Sequence, residues 1–478
     1  MRLKLFLPLL AMFWITIGFG QEEWDLERCI RYANENSITL KQADINTENA
    51  KLTQTQNKMA QLPNLDFQSN YSFSFGRSID PTTNEFRSQN LQSQSYSIQG
   101  GAFLYRGLTI RNGIKAGALD IEAAEADKEA AVNDLGLNVA AAYLGVLQAQ
   151  DQIAIAENRK KQTEDQLDRT NKLIEAGTLP EANRYDLEAQ LASDDQTLTA
   201  ANNGLILAYL SLKQLLNLDP AAEMSIVRPD ILLPVEGNLD DYVMQELFST
   251  ALTTQPMIYA NEKRIESAEI GVKITKGALH PSLSVFGDIG TRYSSISRDF
   301  ENFNVTGEFD RTDLIVEAGG QQGILTVLDP VVEFGKRPYF KQLNDNFNQG
   351  ISLGLAFPIY NRHTNRVAIQ KAQLQVLSAQ YSDELARTQL KADIQRALTD
   401  AKAAYDQLEA SEKTVTARQK SFENAEKRYS LGAINTFEYN LAKDNFDVAR
   451  SNEVFAKYDY VFKMKVLDFY LGRPIKLD

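Results

Sequence analysis

Side chains that commonly carry out enzyme chemistry are scarce in this sequence. It contains one cysteine, Cys29, and two histidines, His280 and His363. One cysteine cannot form an intramolecular disulfide, and so few cysteines and histidines cannot supply a zinc site. A histidine-based triad would need His280 or His363, and no serine or acidic motif accompanies either. We therefore predict no catalytic residue, metal or cofactor, and we interpret Cys29 and both histidines as structural.

Charge and composition exclude further classes of function. The 478-residue chain has a formal net charge of −13, is 43% hydrophobic and is 24% charged. Phosphate backbones repel a chain this acidic, which predicts no nucleic-acid partner. The balance of apolar and charged residues is typical neither of a disordered chain nor of a helical membrane protein.

Residues 1–20 have the pattern of an export signal. Arg2 and Lys4 precede a short apolar run, and small residues stand just before Gln21. This order is typical of a cleaved signal peptide, and the run is too short for a comfortable membrane anchor. After Gln21 we find no uncharged apolar run of about 18 residues, so no membrane helix is predicted. The mature protein is expected to be periplasmic, secreted or an outer-membrane barrel.

The elements that would position any site occur twice in the chain. Residues 105–217 align without a gap on 360–472, which pairs Gly177 with Gly432. Upstream the spacing between the copies is shorter, which indicates an insertion of 37 residues in the second copy. Two copies are too few for a solenoid and predict a pseudo-twofold protomer.

Each copy repeats one order of periodicities. A first helix is predicted over 25–60 and again over 240–277. Strict alternation follows, as in Leu65, Phe67, Tyr71 and Phe73 with polar residues between them. Alternation over about ten residues fits an outer-membrane barrel and fits equally an ordinary half-buried antiparallel sheet. Long helices with apolar residues at three- and four-residue steps come next, as in coiled coils. Each ends at a glycine turn and returns as a shorter helix.

The predicted organisation divides the chain into a signal peptide, two structural repeats and a proline-rich linker. Its boundaries are 1–20 for the signal peptide; 21–217 for the first repeat, with strands 64–76 and 93–104 and helices 107–175 and 181–216; 218–239 for the linker; 240–472 for the second repeat, with strands 281–291 and 346–358 and helices 362–430 and 435–471; and 292–346 for an extended extracellular loop.

The number of strands bears on assembly. Four strands cannot close a barrel, and open edges cannot lie in lipid. Two copies would supply eight strands and three would supply twelve. Polar alternate positions such as Asn70, Ser72 and Ser74 favour the wider, wet lumen of twelve.

The motifs together resemble the TolC-type outer-membrane efflux channels, over essentially the whole mature chain. They are LPNL at 62–65, FGRSIDP at 75–81 (similar to members from the Bacteroidetes group), EAGTLP at 175–180, HPSL at 280–283 and FPIYN at 357–361.

This resemblance implies a fold, a function and partners. The fold class would be α+β but mostly α, duplicated, with four strands per protomer in a 12-stranded trimeric barrel and long helices forming a periplasmic α-barrel. The function would be a passive exit duct of a tripartite efflux pump or type I secretion system, in the outer membrane of a Gram-negative bacterium. The implied partners are two further copies, a periplasmic adaptor protein, through it an inner-membrane pump, and outer-membrane lipid.

The resemblance also assigns residues. Adaptors of the family contact the helical turns, which here include Gly177, Thr178, Leu179, Gly432, Ala433 and Ile434.

A narrow periplasmic mouth in the family carries two acidic positions after the second turn. Glu438 matches the first of them, whereas Leu441 occupies the second. Asn183 and Asp186 stand at the corresponding positions of the first copy, and Tyr429 matches a tyrosine that helps to latch the closed state. A ring of three Glu438 side chains would favour cations.

Two other classes of function remain open. A periplasmic coiled-coil adaptor would also carry a helical hairpin and a β domain, but one hairpin and not two. A secreted hydrolase would need a nucleophile and a base, which the sequence lacks. No motif specifies the cargo or the pump class, because an exit duct serves whatever its pump delivers.

Overall fold

The computed structural model describes residues 23–79, 84, 86–88, 90–229, 243–318 and 321–473. They form two compact units, and each unit draws on both sequence repeats. The helical unit contains the described residues up to Lys51, Leu119–Glu266 and those from Leu377 onward, and the sheet unit contains Leu52–Ala118 and Ser267–Val376. The predicted signal peptide and residues 230–239 of the predicted linker lie outside the described residues.

The first helix of each predicted repeat is two helices. In the first copy these are α1 (Leu26–Asn36) and α2 (Ile38–Met59), with the backbone of Ser37 extended between them. In the second copy, Gln255 is extended because proline at the next position disfavours the helical conformation. The helices on its two sides are α5 (Met244–Thr254) and α6 (Pro256–Gly277).

The long helices repeat their lengths. Both α3 (Thr109–Glu175) and α8 (Thr364–Ser430) have 67 residues. The return helices, α4 (Ala182–Leu216) and α9 (Thr436–Tyr470), have 35 residues each. The duplication read from the sequence is therefore a duplication of two helical hairpins with equal arms.

The core of the first hairpin accounts for the apolar stretch of α3. Among the described residues, α3 is long and apolar enough to span a membrane by length and composition. Val139, Tyr143 and Leu147 of α3 are buried in one hydrophobic core together with Cys29. This core explains both the apolar sequence of α3 and the burial of Cys29. Burial raises the pKa of the Cys29 thiol to about 12, which keeps it protonated and unreactive.

A four-stranded antiparallel sheet dominates the sheet unit. Its order is β1 (Asn64–Ser74), β4 (Leu91–Arg106), β5 (Ser282–Ser294) and β8 (Asn348–Ala356). A short ribbon, β2 (Arg77–Ile79) and β3 (Phe86–Ser88), lies between the first two strands in sequence. Within the described residues β1 and β8 are the open edges of the sheet, one from each repeat.

The register separates the sheet into two unlike faces. Residues directly opposite each other share a face, and alternate residues point to opposite faces. The apolar sheet face includes Leu65, Phe67, Ile98, Val285, Ile289, Ile351, Leu353 and Leu355. The polar sheet face includes Asp66, Gln68, Asn70, Ser95, Ser97, Gln99, Asp288 and Asn348. Most apolar members are exposed, so no other part of the chain that the structure describes covers this face.

The segment 292–346 differs from its prediction as an extended loop. The structure places a long β-hairpin there, β6 (Arg298–Ala318) and β7 (Gln321–Lys336), followed by α7 (Tyr339–Asp345). Buried Gln342 fixes α7 to the end of β5, accepting from the Ser294 N–H (2.9 Å) and donating to its carbonyl (3.0 Å). The prediction missed the hairpin because the first repeat has no counterpart to align.

Candidate functional site

Two glycine turns join the long helices to the return helices, and their backbones are the same. At the first turn (residues 176–180), Gly177 has φ +74° and donates to the Ile174 carbonyl (2.8 Å), and the Thr178 N–H donates to Leu173 (2.9 Å). At the second turn (residues 431–435), Gly432 has φ +70°, with equivalent bonds to Tyr429 (2.9 Å) and from Ala433 to Arg428 (2.8 Å). Both are Schellman caps.

The six predicted docking positions occupy matching places in the two turns. No atom comes within 4 Å of a Cβ built on Gly177 or Gly432, so both glycines face open space. Thr178 and Ala433 are exposed, while Leu179 and Ile434 are half-buried. Each turn thus presents an exposed backbone corner with one apolar side chain beside it.

The four predicted gate positions are placed differently from one another. Glu438 is exposed in the first turn of α9, and its N–H donates to the capping side chain of Asn435 (2.9 Å). Asp186 is exposed on α4, and Asn183 is half-buried. Tyr429 is half-buried, and its hydroxyl shares a hydrogen bond with Thr436 (3.1 Å). Within one protomer these side chains do not form a single cluster.

An ionic layer lies between α3, α4 and α9, about four helical turns before the first turn. Fully buried Asp194 accepts hydrogen bonds from Arg159 Nε (2.6 Å) and Thr163 Oγ1 (2.5 Å). Lys443 Nζ lies 3.6 Å from Asp194 and donates to the Arg159 carbonyl (2.8 Å) and to Thr163. Arg159 also donates to Asp444 (2.6 Å). These bonds tie α9 of the second repeat to the first hairpin.

One member of this ionic layer is poorly compensated. Asp447 is buried, and its Oδ2 has no hydrogen-bond partner and lies 3.7 Å from Arg159 Nε. Burial raises the pKa of Asp447 to about 6, although Lys443 and Arg159 oppose the rise. For Asp194 burial acts in the same direction, but the hydrogen bond from Thr163 and the two cations outweigh it and its pKa is lowered. Burial lowers the pKa of Lys443.

An aromatic layer lies between α8 and α9, beneath the second turn. Phe422 stacks on Phe446 (ring centroids 5.7 Å, interplanar angle 12°) and contacts Tyr439 at 5.7 Å. Tyr429 stacks on Tyr439 with centroids 4.9 Å apart. Burial raises the pKa of Tyr439 to about 12, so its hydroxyl stays neutral. The aromatic layer thus joins α8 to α9 by contacts between rings, and none of its contacts is an ion pair.

The ionic layer was missed from the sequence, and a signal for it was present. Asp194 aligns with Ala449 in the other copy, and Asp447 aligns with Ala192. A carboxylate that stands where the other repeat has a small apolar residue indicates a buried polar contact that the duplication does not repeat. Among the described residues, no group of three or more His, Cys, Asp and Glu side chains could hold a metal ion.

The family assignment rests on most of the length of the chain. The family model described as outer membrane efflux protein matches residues 29–218 and 247–473, which covers both repeats. The chain belongs to the outer membrane efflux protein family. This membership confirms the predicted family and mostly helical, duplicated fold, and it places the chain among transport proteins and not among enzymes. No curated protein sequence matches the chain.

Solved structures of outer membrane channels share the fold. They include the CmeC channel of Campylobacter jejuni (TM-score 0.69, 17% identity, covering 94% of this chain and 85% of that chain). They also include VceC of Vibrio cholerae (TM-score 0.70, 15% identity, covering 94% of this chain and 97% of that chain). A third is the open state of the MtrE channel of Neisseria gonorrhoeae (TM-score 0.66, 20% identity, covering 95% of this chain and 90% of that chain). At sequence identities this low, the similarity between these channels and this efflux protein is a similarity of fold alone.

Proposed function

We propose that three copies of the mature chain form a passive channel in the outer membrane of a Gram-negative bacterium, the exit duct of a tripartite efflux pump or a type I secretion system. One observation carries the proposal. The four-stranded sheet has an exposed apolar face, a polar face and two open edges, and it stands in one chain with two long helical hairpins.

Lipid is the environment that fits the apolar sheet face. In a bilayer every backbone N–H and C=O must be paired, so the open edges of β1 and β8 require further copies to close the sheet. Two copies give eight strands and a lumen that side chains fill, whereas three give twelve and leave an aqueous path. The polar sheet face, with Asp66, Gln68 and Asp288, would then line that path.

The additional segment of the second repeat, residues 292–346 (the insert), fits the outer end of this barrel. It leaves the sheet after Ser294, and α6 enters the opposite end of the same strand at Ser282. If the helices lie in the periplasm, the insert lies outside the cell, where the longer connections of outer-membrane barrels occur. The same proposal includes removal of the signal peptide after residue 20. It also includes a linker that begins after residue 217 and ends before residue 240, between the two structural repeats.

The exposed turns suit docking of a periplasmic adaptor and, through it, an inner-membrane pump. Gly177 and Gly432 expose a backbone corner, with Leu179 and Ile434 as apolar neighbours. A Gly432→Pro variant should block pairing with the pump, because proline fixes φ near −65° and this turn needs +70°. Gly432→Asn is the matched control, since asparagine tolerates a positive φ.

The mouth of the duct would narrow at Glu438, Asp186 and Asn183, with Tyr429 holding the second turn. Three Glu438 side chains around a common axis would favour cations over anions. In Glu438→Gln, the reversal potential across a salt gradient should move toward that of an unselective pore. An unchanged reversal potential removes Glu438 from the gate.

Conductance of purified protein in planar bilayers tests the function as a whole. We expect discrete ionic conductance, small in the native protein and larger when Tyr429→Phe removes the hydroxyl that contacts Thr436. Silence of both proteins contradicts a channel. Extraction without detergent, together with loss of the fold on mild heating, would instead favour the periplasmic adaptor.

A further inference from the structure

The short helix α7 of the insert packs against the sheet on the side of its apolar face. The Tyr339 hydroxyl donates to Gln94 Oε1 (3.0 Å) and shares a hydrogen bond with the Tyr96 hydroxyl (3.1 Å). The ring centroids of Tyr339 and Tyr293 lie 4.8 Å apart. Gln94 stands opposite Tyr293, and Tyr96 is two residues from Ile98 of the apolar sheet face, so all of these strand side chains point to that side.

The helix covers a polar end of this otherwise apolar surface. Beyond Ile98 on β4 and Ile289 on β5, the residues on this side are tyrosine, glutamine and threonine. Tyr339 takes up the polar atoms of β4, and the Thr291 hydroxyl donates to the Leu343 carbonyl of α7 (2.6 Å). A hydroxyl or amide that faced lipid without a partner would cost free energy. Docking of α7 removes that cost.

The sides of α7 that turn away from the sheet differ in polarity. Phe340 lies about 100° around the helix from Tyr339 and is 80% exposed. A further step of about 100° brings Lys341, which pairs with Glu301 at the root of the β6–β7 hairpin and lies 3.7 Å from Asp299. The helix thus has one apolar flank and one charged flank, as elements at a membrane–water boundary do.

The length of β5 sets α7 at such a boundary in the proposed barrel. Gly287, near the middle of β5, pairs with Ile351, and Tyr293 lies six residues further along the strand. At about 3.3 Å per residue and a strand tilt of about 40°, six residues rise by about 15 Å. Half of the apolar band of an outer-membrane barrel is about 12 Å. A helix packed on Tyr293 therefore lies where acyl chains give way to headgroups.

We propose that the occupant of the apolar flank of α7 is the outer leaflet of the membrane, with Phe340 inserted among the lipids just below their headgroups. The proposal rests on the proposed function and deepens it, because it adds part of the insert to the lipid-contacting surface. Lipid is a better occupant than a neighbouring copy. The contacts of α7 are with β4 and β5, the two middle strands, whereas further copies would join at the edges, β1 and β8.

Quenching of tryptophan emission by brominated phosphatidylcholine tests this contact in reconstituted vesicles. After removal of the signal peptide the chain has one tryptophan, Trp24, which lies in the helical unit. Emission from a new tryptophan is therefore the difference from the native protein. Phe340→Trp should be quenched more by lipid brominated near the headgroup than by lipid brominated deep in the acyl chain.

Two matched variants give the reference depths. Ile351 is 84% exposed on the apolar sheet face, and Ile351→Trp should be quenched most by the deeply brominated lipid. Phe437 is 71% exposed beside the second turn, and Phe437→Trp should be quenched by aqueous iodide and by neither lipid.

A nitroxide attached to Phe340→Cys measures the same depth without a large ring. Dissolved oxygen should relax it more than a water-soluble nickel chelate does, and a nitroxide on Phe437→Cys should show the reverse. The native Cys29 is buried and does not take the label.

The two levels of the account fail in different ways. If Ile351→Trp responds to deeply brominated lipid while both probes at residue 340 behave like those at residue 437, the lipid contact of α7 is wrong and the channel stands. If Ile351→Trp also ignores brominated lipid, the sheet is not in the membrane and the proposed function itself is overturned.

Discussion

The two helical hairpins of this chain share a backbone plan and differ in what holds them together. Arm lengths are equal, and both turns use the same glycine cap. The first hairpin has a buried ionic layer centred on Asp194, whereas the second has stacked rings centred on Phe422. Duplication has thus preserved the turn geometry and left the side chains beneath it free to diverge.

The difference matters because the layers join different elements. The aromatic layer connects α8 and α9, which belong to one hairpin. The ionic layer connects α9 to α3 and α4, and therefore connects the second repeat to the first. A change in protonation or charge can therefore loosen the ionic layer. The aromatic layer contains no ion pair that such a change could break. The comparison makes four predictions, from the largest effect to the smallest.

The largest effect is expected from Asp194→Ala. The substitution leaves Arg159 and Lys443 buried without their central carboxylate, and breaking such a buried network typically costs about 3–5 kcal/mol. The thermal midpoint of the helical circular dichroism signal should fall sharply. The neighbouring Asp195→Ala is the control, because its ion pair with Lys160 is solvent-exposed and such pairs contribute little to stability. Equal midpoints for the two variants would show that the ionic layer is not stabilising.

Phe422→Ala tests the other hairpin. Removing a buried ring leaves a cavity and costs about 3 kcal/mol. The loss should be the same at pH 5 and pH 8, because Phe422 and Phe446 have no titratable group and the hydroxyl of Tyr439 stays neutral. Phe437→Ala, on an exposed position of the same hairpin, should change the midpoint little. A cost that varies strongly with pH would contradict the assignment of this layer as purely aromatic packing.

Asp447→Asn should stabilise the protein, with a defined pH dependence. The folded-state pKa of about 6 exceeds the ordinary value of 3.8, so the native state holds the extra proton and stability falls as pH rises from about 4 to about 6. The variant lacks that fall and should be more stable above pH 7 by at most about 3 kcal/mol. Parallel melting profiles of the two proteins between pH 4 and pH 8 would refute the buried, uncompensated carboxylate.

The smallest loss of stability is expected from alanine substitutions at the two glycine turns, which change the backbone and leave the ionic and aromatic layers in place. Gly177→Ala and Gly432→Ala should each cost about 1 kcal/mol, because alanine is strained at positive φ and nothing else contacts either position. The two costs should agree, since the turns are equivalent. A clearly larger cost at one turn, measured by the same thermal midpoint, would mean that the turns are not the invariant part of the duplication.

Much of this architecture is readable from the sequence because it depends on local rules. Glycine at 177 and 432 predicts the caps, alternation from Leu65 to Phe73 predicts β1, and the spacing between copies predicts equal helices. The breaks at Ser37 and Gln255 were missed, although Pro256 signals the second one.

Two features could not be predicted, for different reasons. The hairpin within 292–346 pairs two consecutive strands, and it was missed because the first repeat offers no second copy of this segment for comparison. The ionic layer joins Arg159, Asp194 and Lys443 across more than 280 residues, and a list of charged positions does not reveal which of them meet. The side chains that distinguish the hairpins are therefore the part that required a structure.

The central claim is that one chain supplies a third of a closed channel. Native mass spectrometry of the protein, extracted from outer membranes in mild detergent, measures the number of copies directly. We predict a single dominant species of three mature chains that persists at low protein concentration. A dominant species of one or two chains would contradict the account, because four or eight strands cannot enclose the aqueous path on which it depends.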